Sequence, residues 1–237
     1  MARILMPGED YFQVLSWCHD WLKPQTYVEI GVAHGDSLTL ARPETRSLGI
    51  DPRPAIQTVI QSRAKLYPIP SDRFFADYDL LHELEAQRLA LCFIDGLHHF
   101  DQALNDFINV ERYADANTVV LIHDCLPVTR RVATRARTTD FWCGDVWKVV
   151  FCLAQHRPDL KLSLLPTYPS GLLLVTGLNP RSSVLRDQFQ QIVEGYKDRT
   201  LPYDYLDDAT LRSVWRHVVP CDREHVVQIL SSAVSLA

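Results

Sequence analysis

No stretch of the sequence approaches the ~20 consecutive apolar residues that a membrane-crossing helix needs, which argues against a bilayer-spanning role. The residues ahead of Pro7 hold too short an apolar stretch for the core of a secretory signal. The six cysteines (Cys18, Cys92, Cys125, Cys143, Cys152 and Cys221) are scattered, with no C-x-x-C pair and no dense framework. That excludes a disulfide scaffold and leads to the expectation of reduced thiols in a cytoplasmic protein. Excess positive charge is missing too, since the formal charge is −5 and the pI is about 6.0. A general nucleic-acid binder presents a basic face to phosphates, so that class is disfavoured and only a local basic patch stays open. The Gly-x-Gly-x-x-Gly fingerprint that cradles a pyrophosphate is absent, which speaks against a nicotinamide dehydrogenase. Internal repeats and low-complexity tracts are absent as well. What is there is 237 residues of ordinary globular composition, 47% hydrophobic and 22% charged, enough for one large α/β domain and a terminal extension.

The chain is organised around Thr26-Tyr-Val-Glu-Ile-Gly-Val-Ala-His-Gly-Asp-Ser37, which reads as a buried strand, a glycine turn and the start of a helix over 38–41. Gly31 and Gly35 allow backbone conformations and a close ligand approach that a Cβ would block, and Asp36 and Ser37 suit the helix cap. Such a turn at the carboxyl end of a parallel strand is a nucleotide site, read here as a nucleoside site without phosphates. His34 either lines that site or faces solvent. Ahead of the strand, residues 10–22 have helical spacing. Beyond it, 47–51 is a short strand ending in Asp51, twenty positions after Gly31, where a carboxylate accepts from both ribose hydroxyls. Residues 55–66 read as a helix, 73–76 as a third strand and 80–87 as a helix. Asp77 then stands at the rim beside Asp51, where it either reaches an adenine amino group or caps a helix.

Apolar strands follow at 89–95 and 118–124, ending in Asp95 and in His123-Asp124, with a helix over 102–114 between them. Residues 125–143 have no clear period and carry Arg130, Arg131, Arg135 and Arg137. They read as a lid that is mobile until ligand binds, and the arginines either recognise an anionic acceptor or are solvated. A helix over 144–155 and strands at 160–165 and 171–176, forming a hairpin at the sheet edge, complete a doubly wound, mostly parallel seven-stranded sheet of Rossmann-like type. Residues 1–180 are assigned to this domain and 181–237 to a helical extension. The apolar residues of that extension must be buried against the domain or a partner, which led to the expectation of a homodimer.

At the shared rim, Asp95 and Asp124 offer hard oxygen ligands suited to Mg²⁺ or Mn²⁺, with His98 three residues after Asp95 as a proton acceptor. The competing account has the two aspartates as helix caps or turn formers. His98 or His123 acting alone as base, without metal, also stays open, as does a noncatalytic cofactor-binding or scaffolding protein.

The motifs Val28-Glu-Ile-Gly-Val-Ala-His-Gly-Asp-Ser37, Gly49-Ile-Asp51, Phe93-Ile-Asp-Gly-Leu-His-His-Phe100 and Ile122-His-Asp124 resemble the class I S-adenosylmethionine-dependent methyltransferases. More narrowly they resemble the small-molecule O-methyltransferases that include macrolide-sugar enzymes and, more distantly, catechol O-methyltransferase. The resemblance covers about residues 27–176. It implies S-adenosylmethionine as cofactor, held by Gly31, Gly35 and Asp51; Glu29, Ser37, Asp77 and Asp95, beside them in the motifs and at the rim, are assigned to the same cofactor site. It implies Mg²⁺ on Asp95 and Asp124, His98 as catalytic base, and a small-molecule acceptor of natural-product or sugar type. Cys125 stands where catechol-type enzymes place an asparagine, so the third metal ligand is left open.

Overall fold

Tyr27, Val28 and Ile30 are strand formers on either side of Glu29, and in a computed structural model describing Met6 and residues 8–234 Thr26–Ile30 is a fully buried strand. The chain order is α1 (Tyr11–Leu22), β1 (Thr26–Ile30), β2 (Arg46–Ile50), β3 (Arg63–Tyr67), α2 (Ser71–Asp77), α3 (Leu80–Glu83), β4 (Leu91–Ile94) and α4 (Phe100–Glu111). It continues with β5 (Val119–His123), α5 (Lys148–His156), β6 (Lys161–Leu165), β7 (Leu172–Thr176), α6 (Val184–Asp187), α7 (Phe189–Tyr196), α8 (Asp208–Val214) and α9 (Arg223–Ala233).

The strands lie in the order β3-β2-β1-β4-β5-β7-β6. The first five are parallel, and β7 runs antiparallel to both β5 and β6. Successive side chains of a strand point to opposite faces, so the sheet divides its core in two. Val28, Ile30, Cys92 and Ile94 face α2–α5, α7 and α8, while Tyr27, Leu91 and Phe93 face α1 and α9. Both faces being covered explains why β4, β5 and β7 read as apolar runs and β1 as one broken only by Glu29.

Three local expectations are corrected. Residues 55–66 form no helix: Pro52 and Pro54 interrupt the backbone, and the segment ends in edge strand β3, whose alternating charges suit an exposed sheet edge. Residues 73–76 are helix, not strand. Phe74 and Phe75 are buried on α2, and Arg73 pairs with Asp77 one turn on, an i,i+4 pair that only a helix brings together. The helix expected at 38–41 is a single 3-10 turn at Leu38–Leu40, and Ser37 makes no cap bond to it.

The carboxyl-terminal helices close the domain itself. Val226 and Leu230 of α9 pack with Val14, Leu15 and Cys18 of α1, and Ile192, Tyr196, Leu211 and Trp215 join the opposite core. The apolar residues that motivated a homodimer are therefore covered by the chain's own core. At the opposite end of the sheet from the glycine turn, Arg157 is 1% exposed and holds Glu111 through a two-pronged pair at 2.6 and 2.9 Å. It also pairs with Asp159, and Glu111 accepts in turn from the Asn179 amide. This joins the ends of α4 and α5 to the segment after β7.

Candidate active site

Parallel pairing brings the ends of β1, β2, β4 and β5 to one rim, and the side chains there follow from tight backbone geometry. Gly31 has φ +89, and a Cβ on it would lie 2.0 Å from the Asp95 carbonyl oxygen. The glycine is needed because the ends of β1 and β4 touch. Gly35 has φ +85, and its amide closes the turn on the Val32 carbonyl at 2.8 Å. Asp51 holds the same turn from β2: one carboxylate oxygen accepts from the Val32 and Ala33 amides at 2.9 Å each, and the other from Arg53 at 2.7 Å. A carboxylate offers about four acceptor positions, so capacity remains on Asp51 for a ligand hydroxyl.

The turn walls a cavity of about 570 Å³, a size common for small-molecule sites. Gly31, Ser37, Asp51, Asp95 and His98 line it, and so does the exposed His34, whose Nδ1 lies 3.2 Å from the Ala55 carbonyl. Gly35, Glu29 and Asp77 do not line it. Asp77 ends α2 in its pair with Arg73, so the strand meant to bring it to the rim does not exist. Glu29 is sealed beneath the turn, where it accepts from Tyr27 Oη at 2.6 Å and Ser37 Oγ at 2.7 Å. Burial outweighs these two hydrogen bonds and raises its carboxyl from 4.5 to about 8. Between those values the folded state binds the proton and the unfolded chain does not, so stability is lost as pH rises from about 4.5 to 8. Glu29→Gln is expected to flatten that decline, leaving the parts due to Asp106, which burial raises to about 7, and to His98, whose pKa is raised from 6.5 to about 11 by its two carboxylate neighbours. Urea denaturation of both proteins at pH 5 and pH 8 checks this, and equal losses in the two would remove Glu29 as the cause.

The second group is carboxylate and imidazole. Asp95, His98 and Asp124 present ligand atoms all within 4.8 Å of one another. His98 Nε2 lies 3.4 Å from Asp95 and its Nδ1 lies 3.0 Å from Asp124, while His123 Nδ1 lies 3.3 Å from Asp95. Asp124 has φ +59, a left-handed conformation that aspartate tolerates, and Ser170 donates to its buried carboxylate. Burial lowers the His98 pKa, but the hydrogen bonds and charges of Asp124 and Asp95 overcome this and raise it to about 11. Burial raises the Asp95 pKa, but the charge and hydrogen bond of His123, and then those of His98, hold it below the usual carboxylate range. A cavity of about 360 Å³ opens over this cluster, lined also by Phe141 and Trp142. Asp95, Gly96, Leu97 and His98 line both cavities, forming the partition between them.

Several residues of the site escaped the sequence reading. Tyr11 and Phe12, at the start of α1, line the larger cavity, and Tyr11 packs on His123 with ring centroids 4.1 Å apart. Trp142 stacks on His98 at 5.3 Å, and its carbonyl lies 2.9 Å from His98 Nδ1. Within residues 125–143 the Cys143 amide donates to the Val132 carbonyl and Trp142 Nε1 to the Thr134 carbonyl, and Tyr203 Oη donates to the Pro127 carbonyl from outside the segment. Gly144 has φ +63 and packs against the His98 carbonyl so closely that a Cβ would sit 1.6 Å from it.

A family model described as a methyltransferase domain matches residues 28–125. No curated protein matches the sequence significantly. Among solved structures, the SAH-bound methyltransferase PaMTH1 of Podospora anserina is similar with a TM-score of 0.54 at 17% identity, over 71% of this chain and 78% of that one. The O-methyltransferase TomG of Streptomyces achromogenes, involved in tomaymycin synthesis and solved with SAM, gives 0.52 at 13% identity, over 71% and 80%. An O-methyltransferase from Bacillus cereus in complex with SAH gives 0.52 at 12% identity, over 73% and 84%. At these identities the likeness is one of fold. The family match runs from β1 to the residue after Asp124 and takes in the glycine turn, Asp51, Asp95 and His98. Residues 28–125 thus match a methyltransferase-domain model, on a sheet whose fold is shared with solved methyltransferases.

Proposed function

We propose that the chain transfers a methyl group from S-adenosylmethionine to a hydroxyl of a small molecule. The observation that carries this reading is the shared partition: the cavity of the glycine turn and Asp51 meets the cavity of Phe141 and Trp142 at Asp95 and His98. A cofactor on one side and an acceptor on the other then approach each other beside groups able to take a proton. Gly31, Ser37 and Asp51 wall the nucleoside side. Asp95, on the partition, faces both ligands.

In the reaction the acceptor oxygen bonds to the methyl carbon as the carbon–sulfur bond breaks, leaving S-adenosylhomocysteine, and the hydroxyl proton passes to the protein. What the chain supplies is alignment of the two ligands and a place for that proton. As arranged, His98 is a protonated imidazole held between two carboxylates, a poor proton acceptor. The donor set fits a divalent ion: two carboxylates, an imidazole, and a buried Asp124 oxygen without a well-directed hydrogen-bond donor. Asp95 and Asp124 would hold it with His98 beside them left to take the proton, and it would supply positive charge that neutralises the carboxylates and acidifies a coordinated hydroxyl. The metal-free reading is supported by the same contacts, because an imidazolium already balances the two acids.

Calorimetry with S-adenosylhomocysteine tests the cofactor side. Asp51→Asn keeps an oxygen for the turn amides and loses the charge, so affinity is expected to fall roughly ten- to hundredfold. Unchanged affinity would take Asp51 out of the site. Transfer of labelled methyl to a panel of hydroxyl acceptors, with and without EDTA, tests the acceptor side and separates the metal-assisted from the metal-free reading.

A further inference from the structure

Beside the two cavities that meet at His98 lies a third concavity of about 700 Å³. Arg137, Asp140 and Phe141 line both it and the cavity over Asp95 and Asp124, so the two adjoin. Arg131 borders only the larger one, away from those acids.

The four arginines of residues 125–143 separate into two pairs. Arg130 is neutralised by Asp204 at 3.1 Å, and Arg135 by a two-pronged bond to Asp101 at 2.6 and 3.2 Å. Arg131 and Arg137 have no carboxylate within 4.0 Å among the described residues. Arg137 is nonetheless fixed in place, since its Nη2 donates to the Asp140 carbonyl at 3.0 Å and its Nε to Thr139 at 3.5 Å. Those bonds hold the planar fork without using its charge. A positioned guanidinium with unspent charge, facing a concavity, matches carboxylate or phosphate geometry. Asp140 opposes an anion there, but it is one acid against two arginines. Phe141, on the lining shared by the two concavities, is 42% exposed, an apolar surface for the body of a ligand.

Resting on the methyl-transfer reading above, we propose that the acceptor is a hydroxylated organic acid, its carboxylate or phosphate held by Arg131 and Arg137 and its body against Phe141. The reacting hydroxyl lies at the opposite end, at His98. This arrangement keeps the acceptor's charge away from Asp95 and Asp124, which would repel it.

The test uses the full chain, labelled S-adenosylmethionine and matched acceptors: a phenol, a catechol and a secondary alcohol, each offered as carboxylate, phosphate monoester and neutral amide. For at least one scaffold an acidic form is expected to exceed the amide roughly ten- to hundredfold in kcat/KM. Which acidic form is preferred decides between carboxylate and phosphate. The double variant Arg131→Gln/Arg137→Gln is expected to erase the preference while S-adenosylhomocysteine affinity is unchanged. Arg212→Gln, at an exposed site on α8, is expected to retain it. Equal transfer to charged and neutral forms, or a preference that survives the double variant, overturns the inference and leaves methyl transfer standing. Transfer to no member, with S-adenosylhomocysteine still bound, counts against this inference and the hydroxyl-acceptor reading together.

Discussion

His98→Ala is expected to lower methyl transfer by about 10²- to 10⁴-fold, the usual contribution of a positioned proton acceptor, with S-adenosylhomocysteine affinity close to that of the parent. The pH profile should carry more information than the rate. With its pKa raised to about 11 by Asp124 and Asp95, His98 is protonated at neutral pH, so the metal-free enzyme gains a free imidazole only as pH rises. Its rate is therefore expected to climb toward alkaline pH. Mg²⁺ or Mn²⁺ bound to the two acids removes the interactions that hold the proton and should move the climb to lower pH. EDTA should move it back. The His98→Ala variant has lost that titrating group, and partial recovery at high pH would reflect proton removal by solvent. A variant as active as the parent across the pH range would take His98 out of the proton path and leave His123.

Arg157→Ala is expected to destabilise the fold by about 3–5 kcal/mol, because it leaves Glu111 buried without a counter-charge. Against a total stability of about 5–15 kcal/mol for a typical domain, that is a large fraction. Glu111 is 4% exposed and takes two hydrogen bonds from Arg157. Only the Asn179 amide, 3.1 Å from one Glu111 oxygen, would remain. Removing both charges in Glu111→Gln/Arg157→Met should cost much less than Arg157→Ala alone, since no buried ion is then left unpaired and Asp159, half exposed, keeps its water. Urea denaturation of the single and double variants measures the difference. A loss below about 1 kcal/mol for Arg157→Ala, the range of exposed pairs, would show that water reaches Glu111.

The strands that build the rim were legible because they are buried on both faces and so appear as apolar runs, uninterrupted at Leu91 to Ile94 and Val119 to Ile122 and broken only by Glu29 in β1. The residue that ends such a run lies at the rim whatever the rest of the chain does, which is how Asp95 and Asp124 were located. β3 was not legible, since Arg63 to Tyr67 is a half-exposed edge whose mixed polarity fits a helix as well as a strand. That misreading displaced the next element and with it Asp77. Glu29 was placed in the right motif, but alternation along β1 turns its side chain into the core beneath the turn, where Tyr27 and Ser37 hold it. Tyr11, Trp142 and Ser170 come from segments far from the motifs and reach the site only through tertiary packing. No local pattern marks such residues.

The pairing of α1 with α9 also bears on how the chain is made. The face of the sheet carrying Tyr27, Leu91 and Phe93 is closed by helices from opposite ends of the chain. α1 is available early, but Val226 and Leu230 are among the last described residues to be synthesised. At about 5–20 residues per second, the roughly 200 residues between β1 and α9 take on the order of 10–40 s to emerge. During that interval the domain can close its other face only as far as its later helices have emerged, and one side of the central strands stays partly uncovered. The nascent protein thus passes through a half-covered sheet, the kind of intermediate that calls on chaperones, before the final helix seals it.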